Sequence, residues 1–232
     1  MKNNPAMSSP FRTWLVTREA LAVAASLLLY PLGIKKNRKF TARRPDQRTV
    51  VFVHGYLANS STFLPLGAYL AAKGYHSQLA FTYPSHEGVE KSAIRLKRFL
   101  KKHVRGGRID LVCHSLGGLV ARVYLQELGG ARRVDHCITI ATPHQGTANA
   151  YWLWSRVAQE LRPDSKLLKR LARSTEAAKR VKFLAIGGGA DRIVLPPSSA
   201  EFAEDTLHFE DIGHQGLLFS PHVFRHISRR LA

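Results

Sequence analysis

Cysteine is almost missing from this chain: Cys113 and Cys137 are the only two in 232 residues. So long a chain with so little sulfur does not rest on a disulfide framework, and it gives no sign of an oxidising compartment. Each cysteine reads as part of a buried strand, the first near its strand's end and the second near the next strand's start. Parallel neighbours would hold them at opposite edges, so no disulfide is expected. Acids are scarce too. Sixteen Asp and Glu stand against thirty-five Lys and Arg, a formal charge of +19, which points to an anionic partner: a membrane surface, nucleic acid or an acidic substrate. No nucleic-acid motif accompanies the charge, and no aromatics interleave with it as a stacking platform, so no nucleic acid is expected. No His/Cys/Asp cluster has metal-ligand spacing, so no catalytic metal and no cofactor are expected. There is no internal repeat, low-complexity tract or linker, and no feature that fixes an oligomeric state. What remains, 45% apolar and 22% charged, suits one globular domain with a sizeable core.

Long apolar runs are also rare, and Trp14 to Ile34 holds the only one. Its uninterrupted part, Ala20 to Tyr30, would be about 16 Å long as a helix, against a hydrocarbon core of about 30 Å. A signal peptide fits the length, but the leader is long, it contains Glu19, and no Ala-x-Ala site follows. An interfacial or short anchoring helix fits better. Trp14 and Tyr30 would mark its ends, Arg18 and Glu19 would reach the headgroups if it spans, and Lys35, Lys36, Arg38, Lys39, Arg43 and Arg44 would meet anionic lipid. A helix packed on the domain is the alternative. Residues 1–46 are therefore read as a membrane-seeking segment and 47–232 as the folded domain. If the segment spans, the Lys/Arg excess after the apolar run would place that domain on the cytoplasmic side, with export as the alternative.

Beyond residue 47, β-forming apolar runs alternate with helical ones. Strands are expected at 47–53, 77–82, 109–113, 134–141, 181–186 and 206–212, and helices at 60–73, 87–104, 116–128 and 216–231. Apolar runs without alternation mean burial on both faces. The fold class is α/β: an open, mostly parallel six-stranded sheet with helices on both faces. Residues 148–180 break the alternation with two amphipathic helices, 150–157 and 161–171, read as a short helical cap.

One stretch organises the rest. Ile109-Asp110-Leu111-Val112-Cys113-His114-Ser115-Leu116-Gly117-Gly118 is a strand, a sharp turn and a helix start, a geometry that lifts the Ser115 hydroxyl above the sheet. Active sites of such sheets lie at the strands' carboxyl ends. That rule sets aside Asp110 and Asp135, which open their strands, and keeps Asp191 and His214, which follow theirs.

These residues resemble the α/β-hydrolase superfamily, and most closely its small bacterial lipases and esterases. The family's Gly-x-Ser-x-Gly appears as Cys113-His114-Ser115-Leu116-Gly117, with a cysteine in the first place. Val51 to Gly55 looks like the oxyanion loop, Thr142-Pro143-His144-Gln145-Gly146-Thr147 like the Thr-Pro-His-x-Gly-Thr turn of many lipases, and Asp191-Arg192-Ile193-Val194 and Gly213-His214 like the acid and base turns. The resemblance implies a serine carboxylic-ester hydrolase with Ser115 as nucleophile, His214 as base and Asp191 as its orienting acid. The N–H groups of Tyr56 and Leu116 would form the oxyanion hole. An acyltransferase using the same triad, or an inactive fold that binds anionic membrane or nucleic acid, are the alternatives. His54 and His144 read as structural, and Asp211 as a rival acid on the last strand. Trp152, Trp154 and Val157, in the cap, are the expected substrate-binding residues for an acyl ester or lipid, unless the cap merely packs on the body.

Overall fold

The computed structural model describes residues 9–34, 48–104, 106–196 and 203–232. The cationic run from Lys35 to Arg44 lies outside them. Six strands form one sheet in the order β2-β1-β3-β4-β5-β6, every neighbouring pair parallel. They are β1 Thr49–Val53, β2 Gln78–Phe81, β3 Ile109–His114, β4 Val134–Ile140, β5 Lys182–Gly188 and β6 Asp205–Phe209. Alternate residues of each strand face opposite sides. Val51, Val53, Leu111 and Cys113 pack beneath the helices α3 (Val89–His103) and α4 (Leu116–Glu127). Val50, Phe52, Val112 and Ile138 pack beneath α2 (Leu64–Ala72) and α7 (Pro221–Leu231).

Local chemistry explains where the elements depart from the sequence reading. The helix expected at 60–73 is a 3-10 turn, Ser60–Phe63, followed by α2, because Pro65 suits only the first turn of a helix. Ile94, expected on the inner side of α3, is exposed, while Ala93 beside it is buried. Residues 150–157 are not one helix. A 3-10 turn, Ala148–Trp152, ends in extended chain, and α5 (Arg156–Leu161) starts afresh where the Ser155 side chain accepts the Ala158 N–H. Ser165 caps α6 (Lys166–Arg173) in the same way.

The cysteines correct an expectation. They are not at opposite edges: a register shift at Ile109/Asp110 sets Leu111 opposite Cys137 and Cys113 opposite Thr139. The two thiols therefore meet on one face, within hydrogen-bond reach of each other, buried and unoxidised. Cys137 lies mid-strand, two residues before Thr139, the partner of Cys113, and not at the start of β4.

The N-terminal helix α1 runs unbroken from Ser9 to Leu29, about 32 Å. It is longer than its apolar run because Arg18 and Glu19 lie inside it, and it is long and apolar enough by length and composition to cross a membrane. Those two residues do not reach outward. Arg18 pairs with Asp211, and the Glu19 carboxylate accepts the backbone N–H groups of Gln215 and Gly216.

At the sheet's amino edge, Asp110 is fully buried and bound by the His136 ring at 2.8 Å and the His136 N–H at 3.2 Å, with Arg48 Nε 3.7 Å away. Removing that carboxylate takes away the partner of a buried imidazole, while Arg48 keeps Asp135 at 3.5 Å and the Leu231 carbonyl at 3.2 Å. Asp110→Ala should lower unfolding free energy by about 2 to 3 kcal/mol, less than a fully buried pair because Arg48 stays 41% exposed. Urea denaturation measures this, and a loss below about 0.5 kcal/mol would mean that water already supplies these groups.

Candidate active site

Ser115 sits where β3 turns into α4, with φ 51° and ψ −123°. A non-glycine residue at positive φ is strained, and the surroundings have to hold it there. They do so by close approach. A Cβ at Gly117 would lie 2.3 Å from the Val53 carbonyl oxygen, and one at Gly118 would lie 2.2 Å from Thr142 Oγ1. The first turn of α4 is thereby wedged between the ends of β1 and β4, and the Ser115 N–H donates to the Ile140 carbonyl at 2.8 Å. Cys113 fits this turn because its side chain points into the core beneath α4 and not into the elbow.

The loop after β1 passes beside the serine. A Cβ on Gly55 would come within 3.1 Å of Ser115 Cβ, a tight contact that the serine would have to give way to. Tyr56 and Leu57 follow. Leu57 has φ 52°, and its N–H is tied to Ser85 Oγ at 2.8 Å. The Leu116 N–H opens α4, among the first-turn donors that lack an intrahelical acceptor.

Asp191 and His214 meet at the same edge. Asp191 Oδ2 lies 2.7 Å from His214 Nδ1, with both side chains buried. Its other oxygen accepts the N–H groups of Ile193 at 2.7 Å and Val194 at 2.9 Å. An acceptor-only carboxylate fixed this way makes His214 Nδ1 the donor and leaves Nε2 as the basic nitrogen. The His214 ring packs 4.8 Å from that of His114, the residue before Ser115, and the His114 Nε2 lies 3.4 Å from the His214 carbonyl oxygen. Glycine lets the chain pass close to the His214 turn here. A Cβ at Gly188 would sit 2.2 Å from the Ile212 carbonyl oxygen.

The Asp191 loop is braced by the turn after β4. Thr147 Oγ1 donates to the Ile193 carbonyl at 2.9 Å and accepts the Leu195 N–H at 3.0 Å, and Asn149 donates to the carbonyls of Arg192 and Ile193. Arg122, which sequence reasoning missed, braces that turn from below. Buried in α4, it donates to the carbonyls of His144 and Leu171 at 3.0 Å each, tying the turn to α6. Burial lowers its pKa to about 10, so it stays charged at neutral pH. Only its position in an apolar helix sequence signalled it.

The other candidates fall into place. Asp211 lies in the turn after β6, not on the strand, and Arg18 holds its carboxylate at 3.2 Å. Trp152 and Trp154 are 83% and 95% exposed, while Val157 is buried in the core with Leu167, Leu168 and Leu171. Val157 thus anchors the cap to the body. Among the described residues no group of three His, Cys, Asp or Glu is placed to hold a metal ion.

Three further histidines are buried. His54 Nε2 accepts the Tyr83 N–H at 3.2 Å, which requires the neutral ring, and burial lowers its pKa to about 4. Burial also holds His114 and His144 well below the usual value, helped by His214 and Arg122 respectively. Above pH 6.5 these rings are neutral in both the folded and unfolded chain and contribute nothing. Below it the unfolded chain binds protons that the folded chain refuses, so stability falls as pH drops towards 4. The three together should cost about 4 kcal/mol by pH 5.5. Denaturant midpoints at pH 7.5 and 5.5 measure the drop, and an unmoved midpoint would contradict neutral burial.

Residues 50–227 match the family model described as "Alpha/beta hydrolase family". The solved structures similar to this chain include the mature Bacillus licheniformis lipase BlEst2, at 15% identity and a TM-score of 0.67, covering 84% of this chain and 96% of that one. The type II thioesterase BorB of the borrelidin biosynthetic cluster matches at 18% identity, a TM-score of 0.60 and the same coverage. A membrane phospholipase A described as a bacterial virulence factor matches at 14% identity and a TM-score of 0.55, over 93% of this chain and 91% of that one. With the elbow at Ser115 and a family match over most of its length, the chain belongs to the α/β-hydrolase family.

Proposed function

We propose that this chain is a lipase-like serine carboxylic-ester hydrolase, working through Ser115, His214 and Asp191. The observation that carries the reading is the buried 2.7 Å bond between Asp191 and His214, packed against the residue that precedes a serine held at φ 51°. His214 Nε2 takes the Ser115 proton as Oγ attacks the ester carbonyl, and returns it to the departing alcohol. Asp191 keeps the ring in the Nδ1–H tautomer and stabilises the imidazolium that forms. The N–H groups of Tyr56 and Leu116 receive the negative oxygen of the tetrahedral intermediate, each contributing about 3 kcal/mol to lowering the barrier. Water then releases the acyl group from Ser115. An acyltransferase would differ only in the hydroxyl that accepts it.

Exposed apolar side chains support a lipid ester over a small soluble one. Tyr56 and Leu57 follow β1, Tyr151, Trp152, Leu153 and Trp154 follow β4, and Ile193 follows β5, all exposed at the carboxyl edge that holds the site. Val16, Leu21, Leu27 and Leu28 of α1 are exposed as well. Such patches suit a lipid surface, and the +19 charge suits an anionic one. The similar lipase and membrane phospholipase point the same way. Residues 1–46 are the membrane-seeking segment in this reading, with the domain of 47–232 on the cytoplasmic face, and Trp152 and Trp154 contact the acyl chain.

Turnover of p-nitrophenyl esters should rise with chain length between two and sixteen carbons, and a serine-directed phosphonate should label Ser115 alone. Ser115→Ala should cut kcat by at least about a thousandfold while leaving salt-dependent binding to anionic vesicles unchanged. A variant that still hydrolyses ester would remove Ser115 from the mechanism. Replacing Trp152 and Trp154 together by alanine should slow turnover of the sixteen-carbon ester by about tenfold and spare the two-carbon one. Equal losses on both would show that the tryptophans only shape the loop.

A further inference from the structure

We infer that Glu19, in the N-terminal helix, is a positioning residue for the proposed catalytic base His214, a role that rests on the Ser115, His214 and Asp191 reading. Its two carboxylate oxygens take one backbone donor each: Oε1 accepts the Gln215 N–H at 2.7 Å and Oε2 accepts the Gly216 N–H at 2.9 Å. Those are the two residues after His214. Arg18, its neighbour in the helix, grips the near side of the same turn, donating to Asp211 Oδ2 at 3.2 Å and to the Asp211 carbonyl at 3.4 Å. The turn that presents the base is therefore held at both ends by consecutive side chains of one helix.

The turn's own sequence makes room for this contact. A Cβ on Gly213 would lie 2.4 Å from Glu19 Oε2, and one on Gly216 would lie 3.1 Å away. Glycine at 213 is what admits the carboxylate. The helix, in contrast, gains little from apolar burial. From Thr13 to Leu29 only Ala22 is buried, so polar contacts carry much of its seating. A charged acceptor with two backbone donors makes a bond roughly twice as strong as a neutral one, and it is directional.

The other end of the segment reaches the proposed oxyanion loop. Asn59 Nδ2 donates to the Tyr30 carbonyl at 2.9 Å, and a Cβ at Gly33 would stand 1.9 Å from Asn59 Oδ1. Asn59 lies three residues beyond Tyr56. One helix and its terminal turn thus link the base turn to the oxyanion loop, and a small misplacement of either costs rate far more than it costs affinity.

The test is steady-state hydrolysis of a short, soluble ester by Glu19→Ala and Glu19→Gln full-length chains, at a temperature where melting curves show both folded. Glu19→Ala should lower kcat about tenfold with KM within twofold, and slow phosphonate labelling of Ser115 by the same factor. Glu19→Gln keeps a single acceptor oxygen and should fall between. Hydrogen exchange at the Gln215 and Gly216 amides should quicken in the same order. A lower melting temperature with kcat within twofold of wild type would make Glu19 a staple for the helix and overturn the positioning role. Should Glu19→Ala not fold, Arg18→Met decides: a kcat reduced threefold or more supports the role, and an unchanged kcat overturns it. Wild-type chain with neither turnover nor label overturns the ester reading and this role with it, whereas active wild type matched by its variants overturns this role alone.

Discussion

Everything at the carboxyl edge of the sheet depends on how closely the start of α4 approaches β1. The Gly117 backbone lies so near the Val53 and His54 carbonyl oxygens that no side chain fits between them. That approach holds Ser115 at its positive φ and aims the first N–H groups of α4 across the sheet edge. It also brings Gly55 against the serine and sets the loop carrying Tyr56 beside it. A parallel sheet makes the arrangement possible, because β1, β3, β4, β5 and β6 all release their loops on one side. The strain at one residue is shared among several elements, each already fixed by its own core.

Holding these loops requires polar groups where water does not reach. His54 stacks on Tyr83 at 4.4 Å and accepts its N–H, joining the loops after β1 and β2. His144 meets Thr139 Oγ1 at 2.9 Å, and Arg122 ties the His144 carbonyl to α6. An imidazole suits these places because its neutral form both donates and accepts, which lets one ring bridge two backbone segments. The expected cost is stability lost as pH falls, since burial disfavours the protonated rings. Arg122 cannot shed its charge in the same way, so it sits where two carbonyl oxygens receive its guanidinium.

Much of this was legible in the sequence, for physical reasons that also mark where reading stops. Unbroken apolar runs between helical segments give six parallel strands, since burial on both faces leaves a pattern that no surface segment shows. Ser115, Asp191 and His214 stood out because the edge rule and the family motifs converge on them, and the structure brings Asp191 and His214 into hydrogen-bond contact. Contacts between distant segments left no such pattern. The register shift that joins Cys113 to Cys137 is a one-residue event in backbone pairing. Val157 and the exposed Trp152 and Trp154 read alike as apolar cap residues, and only the break before the Ser155 cap separates the inner one from the outer pair. Arg122 draws no reading from the sequence, and Glu19 reads there as a headgroup contact, because the partners of both are backbone groups, which every sequence has.

The N-terminal helix shows what length and composition leave open in such a segment. By length and apolar content α1 passes for a membrane span, yet its middle is fastened to the turn carrying His214 by Arg18 and Glu19. A helix crossing the bilayer would put those two residues near the hydrocarbon centre and draw the turn in with them, at a cost of several kcal/mol for each charge. Lying flat resolves the conflict. The Arg18 and Glu19 side then faces the domain, while Val16, Leu21, Leu27 and Leu28 remain exposed for lipid. In the proposed reading, one helix both seats the base and offers apolar surface to a bilayer, so the contacts that position the chemistry would also orient the domain towards a lipid substrate.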